Sequence, residues 1–197
     1  LQLRAYDEGF AVRAKHLFSA YGLAEIVDEV TSWRFPEGTK AWCIPWTEAT
    51  YPERPLDVTS LDPKVEWRMP FTVEIPGAGY ASVIEADVES FPRSWIVNTA
   101  SPGAGGGLRL KYAVGVKEGR GEIVSPWRAL ILASTAGALV ERAYLVENLN
   151  PPCAIGDTDW IKPGFCVSDA RNCRLKTDEV ILAAKSAKAI GAKYFQI

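Results

Sequence analysis

Three carboxylates at alternating positions are the first feature able to do chemistry. Over residues 82–90, Glu85, Asp87 and Glu89 alternate with Ile84, Ala86 and Val88. At a strand's period of two, the acids share one face and the apolar residues the other. Such a face ordinarily meets water. Other reactive side chains are sparse. His16 is the single histidine, so any histidine relay or histidine-rich metal site rests on it alone. Its position reads as the end of a strand, partly buried and hydrogen-bonded. Cys43, Cys153, Cys166 and Cys173 show no C-x-x-C zinc spacing. Cys166 and Cys173 either pair across a turn in an oxidising compartment or remain reduced, buried thiols. The run Gly103-Ala104-Gly105-Gly106-Gly107 could suggest a phosphate loop. Such loops deliver their ligand to a helix N-terminus, whereas residues 108–114 alternate like a strand. A hairpin loop explains the run.

The elements that must position these residues divide into two regimes. The 197 residues are 48% hydrophobic and 23% charged, an ordinary globular balance. Twenty-two basic against 24 acidic residues leave a net charge of -2, without the basic excess of a nucleic-acid binder. No apolar run approaches the roughly 20 residues of a membrane span. Short β-prone runs occupy residues 1–6, 9–15, 40–44, 71–75, 81–88, 94–98, 108–114 and 129–134, separated by Gly/Pro turns. That punctuation predicts an antiparallel β-sandwich. Residues 17–30 fit no element, because Ala20-Tyr21-Gly22 breaks a helix there.

Beyond residue 160 the pattern changes. A short apolar strand at 164–168 precedes a turn. Thr177 then caps a helix with Asp178 and Glu179 in its first turn, where acids suit the dipole. Val180, Ala183, Ala184, Ala187 and Ile190 form one stripe, Lys185 and Lys188 sit towards the far end, and Gly191 stops the helix. Residues 192–197 read as a second strand. So short a return predicts a parallel pair with a right-handed crossover. One βαβ unit cannot bury both faces of its strands, and a full (β/α)8 barrel needs about 250 residues. The chain starts at Leu1, without Met or signal peptide, and stops within what reads as a strand. It is therefore expected to be a piece of a longer protein.

Several motifs, in order, resemble glycoside hydrolase family 97. They are the segment Arg4-Ala5-Tyr6-Asp7-Glu8-Gly9-Phe10-Ala11-Val12-Arg13, then Ile84-Glu85-Ala86-Asp87, then Ser125-Pro126-Trp127-Arg128. Leu145-Val146-Glu147-Asn148-Leu149-Asn150-Pro151-Pro152 and Asp159-Trp160-Ile161-Lys162-Pro163-Gly164 follow. Residues 183–197 resemble the family's first barrel helix and second barrel strand. The resemblance implies a mainly β protein: an antiparallel β-supersandwich over 1–160, incomplete at its N-terminus, then one βαβ unit over 161–197 opening a (β/α)8 barrel. It implies an α-glucosidase or α-galactosidase parent, bacterial, periplasmic or secreted, and dependent on Ca2+. The family's catalytic carboxylates lie on later barrel strands, so no catalytic residue is expected here and the piece alone should be inactive.

By the same resemblance, Glu85 is a calcium ligand whose partners lie in the rest of the barrel, so the piece should bind Ca2+ weakly. Asp169 and Arg171 follow the first barrel strand, on the side where such barrels bind substrate; a merely polar turn fits equally. The stretch Val167-Ser168-Asp169 lacks the Trp residues many members carry there, which leaves the preferred sugar open. Among seven tryptophans, Trp42 and Trp46 flank Cys43-Ile44-Pro45 and are the candidates for stacking on a sugar ring. Trp127-Arg128 reads as a strand anchor that could carry a cation–π contact. The implied partners are a glycoside or oligosaccharide and the remainder of the chain's own barrel, with no nucleic acid and no membrane span. Two alternatives stand: a non-catalytic carbohydrate-binding sandwich, and a structural module without a sugar site. The βαβ tail separates them from the enzyme reading, since a stand-alone sandwich has no use for a parallel strand pair.

Overall fold

The computed structural model describes residues 1–18, 21–46, 52–89, 91–99, 106–112, 117–119, 121–151, 166–168 and 176–196. The chain divides into two compact units, Leu1–Pro151 and Pro152–Ile197.

The first unit is built from antiparallel strands. They are β1 (Gln2–Tyr6), β2 (Gly9–Arg13), β3 (Lys15–Leu17), β4 (Ala24–Ile26), β5 (Ser32–Phe35), β6 (Lys40–Trp42), β7 (Leu56–Asp57), β8 (Phe71–Ile75), β9 (Gly79–Ala86), β10 (Ser94–Asn98), β11 (Gly106–Tyr112), β12 (Lys117–Gly119), β13 (Glu122–Val124) and β14 (Trp127–Ala133). Two short helices follow, α1 (Ala136–Glu141) and α2 (Leu145–Leu149), joined by a 3-10 turn at Arg142–Tyr144. Seven strands form one sheet in the order β1-β2-β14-β9-β8-β6-β7, and three form a second in the order β10-β11-β5. Two ribbons, β12-β4 and β13-β3, complete the described strands of this unit.

At its centre, over β9 and β14, the large sheet is packed on both faces. On one, Ala41, Phe71, Val73, Ala81 and Val83 meet Phe35, Ile96, Leu108 and Leu110 of the small sheet, forming the sandwich core. On the other, Ala11, Ala86, Trp127 and Ala129 pack beneath Leu145 and Leu149 of α2. Ile131 and Ala133 pack beneath Leu139 of α1. Residues 127–133 therefore read as a nearly unbroken apolar run, because β14 is covered on both faces along most of its length, Leu132 being its exposed position at 38%. Backbones approach closely at two places on this strand. A side chain on Gly9 (φ 150°) would put its Cβ 2.0 Å from the Leu130 carbonyl oxygen, and one on Gly79 (φ 110°) 2.4 Å from that of Ala133. Only glycine fits at either position.

The expected sandwich is present, with local differences. The 9–15 run splits at Ala14, whose N–H donates to Ser125 Oγ at 3.0 Å. Within residues 17–30 lies β4, paired with β12. Strand β5 and both short helices were not anticipated. At five and six residues the helices cannot display a 3.6-residue stripe, although Thr135 Oγ1 does cap α1 by accepting from the Ala138 N–H at 3.2 Å. Gly106 and Gly107 open β11, which pairs with β10 and β5; as expected, they lead into a strand and not a helix. His16 is half-buried in β3 and its ring stacks on Phe18 at 5.8 Å.

In the second unit, β15 (Cys166–Ser168) and β16 (Tyr194–Gln196) pair in parallel, with Cys166 opposite Tyr194 and Ser168 opposite Gln196. Between them runs α3 (Thr177–Ala189). The cap is shifted by one residue from the expectation: Lys176 takes the N-cap position and its N–H donates to Glu179 Oε2 at 3.3 Å. Ala187 is buried on the predicted stripe, whereas Ile190 is 67% exposed just beyond the helix. Gly191 at φ 85° ends the helix as predicted. Among the described residues, no helix is long and apolar enough to cross a membrane.

Candidate functional site

The candidate site lies where β9 and β14 end together. Their register sets Arg128 directly opposite Glu85. Both belong to the sandwich side of the sheet, the side of Ala81, Val83 and Leu130. The carboxylate is thus drawn inside by a cation and is not left on the solvated face that the alternating acids suggested. Arg128 is 2% exposed, and its Nη1 donates to Glu85 Oε1. Its Nε and Nη2 form a two-pronged clasp on Glu29, at 2.8 Å to Oε1 and 2.7 Å to Oε2. Nη2 also donates to the Tyr112 hydroxyl, which in turn donates to Glu29 Oε2 at 2.6 Å. Thr31 Oγ1 donates to Glu29 Oε1 at 2.6 Å.

The electrostatics follow from this closed cluster. Burial alone would push the Glu29 carboxyl up, but the hydrogen bond and charge of Arg128, helped by Thr31 and Tyr112, hold it below the usual carboxylate range. Burial would likewise loosen the Arg128 proton; the carboxylates of Glu29 and Glu85 reverse that and raise it. The Tyr112 hydroxyl is pushed up, by burial first and then by the neighbouring acids.

The other motifs converge on the same point from the far side of the strand. Beyond Ala86 the chain turns sharply at Asp87, whose φ is 55°. The Asp87 N–H donates to Asn150 Oδ1 at 2.7 Å, and Asn150 Nδ2 donates to the Val146 carbonyl at 2.7 Å, so Asn150 ties the end of α2 to this turn. Arg13 Nη1 donates to Asp87 Oδ2 at 3.0 Å. The Arg13 and Arg4 guanidiniums lie over the buried Trp127 ring, at 4.3 and 4.7 Å. Trp127 is the expected anchor, but its cations come from the first hairpin and not from Arg128. Motifs scattered over some 150 residues are one contiguous structure.

Beside Glu85 opens a cavity of about 450 Å³, whose lining includes Ile44, Arg68, Met69, Arg93 and Ser94. The remaining sequence candidates are not gathered there. Trp42 lies on the face of β6 opposite the buried Ala41, hence on the side of the sheet away from Glu85. Trp46 is 60% exposed and, like Trp42, is not part of the cavity wall. Asp169, Arg171, Cys153, Cys173 and the residues 159–164 lie outside the described residues. Sequence reasoning missed Arg68, Arg93, Ser94 and Glu29. Glu29 sits in a stretch without periodicity, so nothing local announces it.

The family model "Glycosyl-hydrolase 97 N-terminal" matches residues 1–152. The chain belongs to this family. A probable retaining alpha-galactosidase of Streptomyces bingchenggensis is 25% identical over 172 residues, covering 83% of this chain and 25% of that protein. The chain thus spans about a quarter of the length of this curated relative. A glycoside hydrolase family 97 enzyme from Pseudoalteromonas sp. strain K8, a variant solved with panose, matches with a TM-score of 0.75 at 19% identity, over 96% of this chain and 31% of that one. The complex of a family 97 enzyme from the same strain with acarbose gives 0.73 at 20% identity, over 96% and 31%. A beta-arabinopyranosidase structure gives 0.72 at 18% identity, over 98% and 34%. These solved structures share the fold of this glycoside hydrolase 97 N-terminal domain.

Proposed function

We propose that the chain is the front part of a glycoside hydrolase that cleaves α-glucosidic or α-galactosidic bonds, with the sandwich bracing a (β/α)8 catalytic barrel. The supporting observation is the convergence of the family motifs on Glu85: Arg13, Trp127, Arg128 and Asn150 all fix the strand end that carries it. The parallel β15–β16 pair linked by α3 is the kind of unit with which such a barrel would begin. Hydrolysis needs a general acid and a second carboxylate flanking the bond. Those groups are proposed to lie outside this chain, so the chain alone should not turn over substrate. Export to the periplasm or beyond belongs to the same proposal.

Calcium is the proposed cofactor of the whole protein. The described residues do not fit a complete calcium site. Glu85 Oε1 is engaged by Arg128, and Arg68 and Arg93 line the same cavity. Among the described residues no group of three His, Cys, Asp or Glu could hold a metal. Glu85 is proposed to contribute one ligand, with the remaining oxygens supplied from elsewhere in the whole protein. Asp169 and Arg171, next after β15 in sequence, are the proposed substrate contacts of this chain.

The test is the rate of the full-length protein on aryl α-glucosides and α-galactosides, with and without chelator. Activity is expected to fall when calcium is removed, and to fall again in Glu85→Gln. No α-glycosidase activity in a folded full-length protein would favour the non-catalytic carbohydrate-binding reading. A rate unchanged by both chelator and substitution would remove Glu85 from the metal site.

A further inference from the structure

The outward face of the small sheet carries a charge pattern of its own. Phe35, Ile96, Leu108 and Leu110 turn into the core, so alternation turns Arg34, Trp95, Val97, Arg109 and Lys111 outward. The register orders them. Lys111 lies opposite Trp95, Arg109 opposite Val97 and Ser32, and Gly107 opposite Arg34. Arg93 is exposed shortly before β10 begins its pairing. Its guanidinium and that of Arg68 lie against the Trp95 ring, at 5.8 and 5.7 Å from the centroid. Arg93, Lys111, Arg109 and Arg34 thus form an oblique file across the sheet. From strand spacing and rise, each step along it is about 7–8 Å and the file spans about 20 Å.

This face is short of acids. Lys111 pairs with Glu66 at 2.6 Å and Arg109 pairs with Asp28, but all these side chains are at least 36% exposed. Such exposed pairs are worth little and give way to a competing anion. Arg34, Arg68 and Arg93 have no carboxylate partner among the described residues. The chain as a whole has a net charge of -2, so the excess is local. Guanidiniums grip oxyanions through paired N–H donors. Cations stepped across an open sheet suit an extended polyanion, whereas a small ligand is bound by enclosure. Trp95 and Val97 are half-buried, so they give a lipid surface no apolar side chain to bury. Two guanidiniums already occupy the Trp95 ring, which leaves an unstacked base no open platform.

We propose that the outward face of the small sheet docks a linear acidic polysaccharide, one that carries a carboxylate on each sugar. Carboxylates along the polymer accept from Arg93, Lys111, Arg109 and Arg34, with Glu66 and Asp28 displaced, while Arg68 adds charge at the Trp95 end. The file lies within the first unit and takes nothing from Glu85. The choice of a polysaccharide among linear polyanions rests on the carbohydrate-acting reading above. The anion grip rests on the file of cations alone.

The experiment uses the full-length protein and reads binding, not turnover, by biolayer interferometry in buffer without added calcium. The probes are an oligogalacturonate, its neutral methyl ester, polyglutamate and single-stranded DNA. The oligogalacturonate is expected to bind about tenfold or more tightly than its ester, and to weaken as salt rises. Arg34→Gln combined with Arg93→Gln should lose about tenfold in affinity at an unchanged melting temperature, since both side chains are exposed. Arg54→Gln removes the same charge from an exposed position before β7 and should stay within about twofold. Absence of saturable binding, an ester bound as tightly as the acid, an affinity indifferent to salt, or an equal loss in Arg54→Gln overturns the proposal. Polyglutamate or DNA bound as tightly as the oligogalacturonate overturns the polysaccharide assignment. A protein that binds the oligogalacturonate but lacks α-glycosidase activity keeps the docking face and fails the glycosidase reading. A protein active on α-glycosides without such binding does the reverse.

Discussion

Replacing Arg128 with Met tests whether the buried cation holds the site together. Met keeps much of the aliphatic stem while removing four hydrogen bonds: two to Glu29, one to Glu85 and one to Tyr112. Glu29 and Glu85 are 16% and 17% exposed, so both carboxylates would be left unpaired away from water. Breaking a buried ion pair from one side costs about 3–5 kcal/mol, a large part of the roughly 5–15 kcal/mol that holds a domain folded. For a unit of this size that is a loss of about 6–20 °C in melting temperature. The pH dependence carries the mechanism. In the native protein the folded Glu29 pKa lies below its unfolded value. Its contribution is therefore complete above about pH 4.5 and is lost as pH falls through the depressed folded value. In Arg128→Met the burial that remains raises the folded pKa of Glu29, so the penalty is full at pH 7 and fades as the carboxyl takes up a proton. The stability gap between the two proteins should narrow between pH 7 and pH 4. Urea unfolding followed by tryptophan fluorescence at both pH values measures it. Adding Glu29→Gln to the variant should recover about 1 kcal/mol or more at pH 7. A variant within about 0.5 kcal/mol of the parent, or a gap that does not shrink in acid, would refute the reasoning.

Asn150→Ala should destabilise the first unit by about 1–2 kcal/mol, because the Asp87 N–H in a left-handed turn loses its acceptor; thermal melting reads it. Gly9→Ala should cost about 2 kcal/mol or more, since its Cβ would overlap the Leu130 carbonyl, whereas Gly77→Ala meets nothing within 4 Å and serves as the φ-only control in the same melt. Burial pushes the Cys43 thiol up to about 12. At pH 8 its peptide should stay unlabelled by a thiol reagent in the native protein and label fully in denaturant, as mass mapping would show.

Much of the sandwich was legible because strand alternation and Gly/Pro turns are local signals. Residues 71–75 and 94–98 were placed to the residue, and both strands of the parallel pair were found. Strand β5 was overlooked although Ser32-Trp33-Arg34-Phe35 alternates polar with apolar and its burial follows that alternation; four residues are too few for the period to stand out from the irregular stretch before them. The two short helices lack the length for a stripe and depend on the sheet beneath them for their order. At the site, Glu85 was singled out, but its surroundings were misjudged. The alternation of Ile84 and Ala86 with acids looked like one wet face and one dry face. In fact both faces are covered, and it takes Arg128, 43 residues away in sequence, to make a carboxylate tolerable inside. Glu29 and Ser94 carry no local mark at all. What makes them special is what tertiary structure sets beside them.

The seam between β2 and β14 sets a timetable for folding. Val12 pairs with Arg128, and Arg4 reaches the Asn148 carbonyl at 3.4 Å. During synthesis the opening hairpin must therefore wait, its inner edge without a neighbour, until more than a hundred further residues have left the ribosome. Pairings of such long sequence separation form slowly and leave sticky strand edges in the meantime. A nascent chain halted before residue 127 should thus behave as an aggregation-prone intermediate, and the sandwich should snap shut only once its final strand arrives.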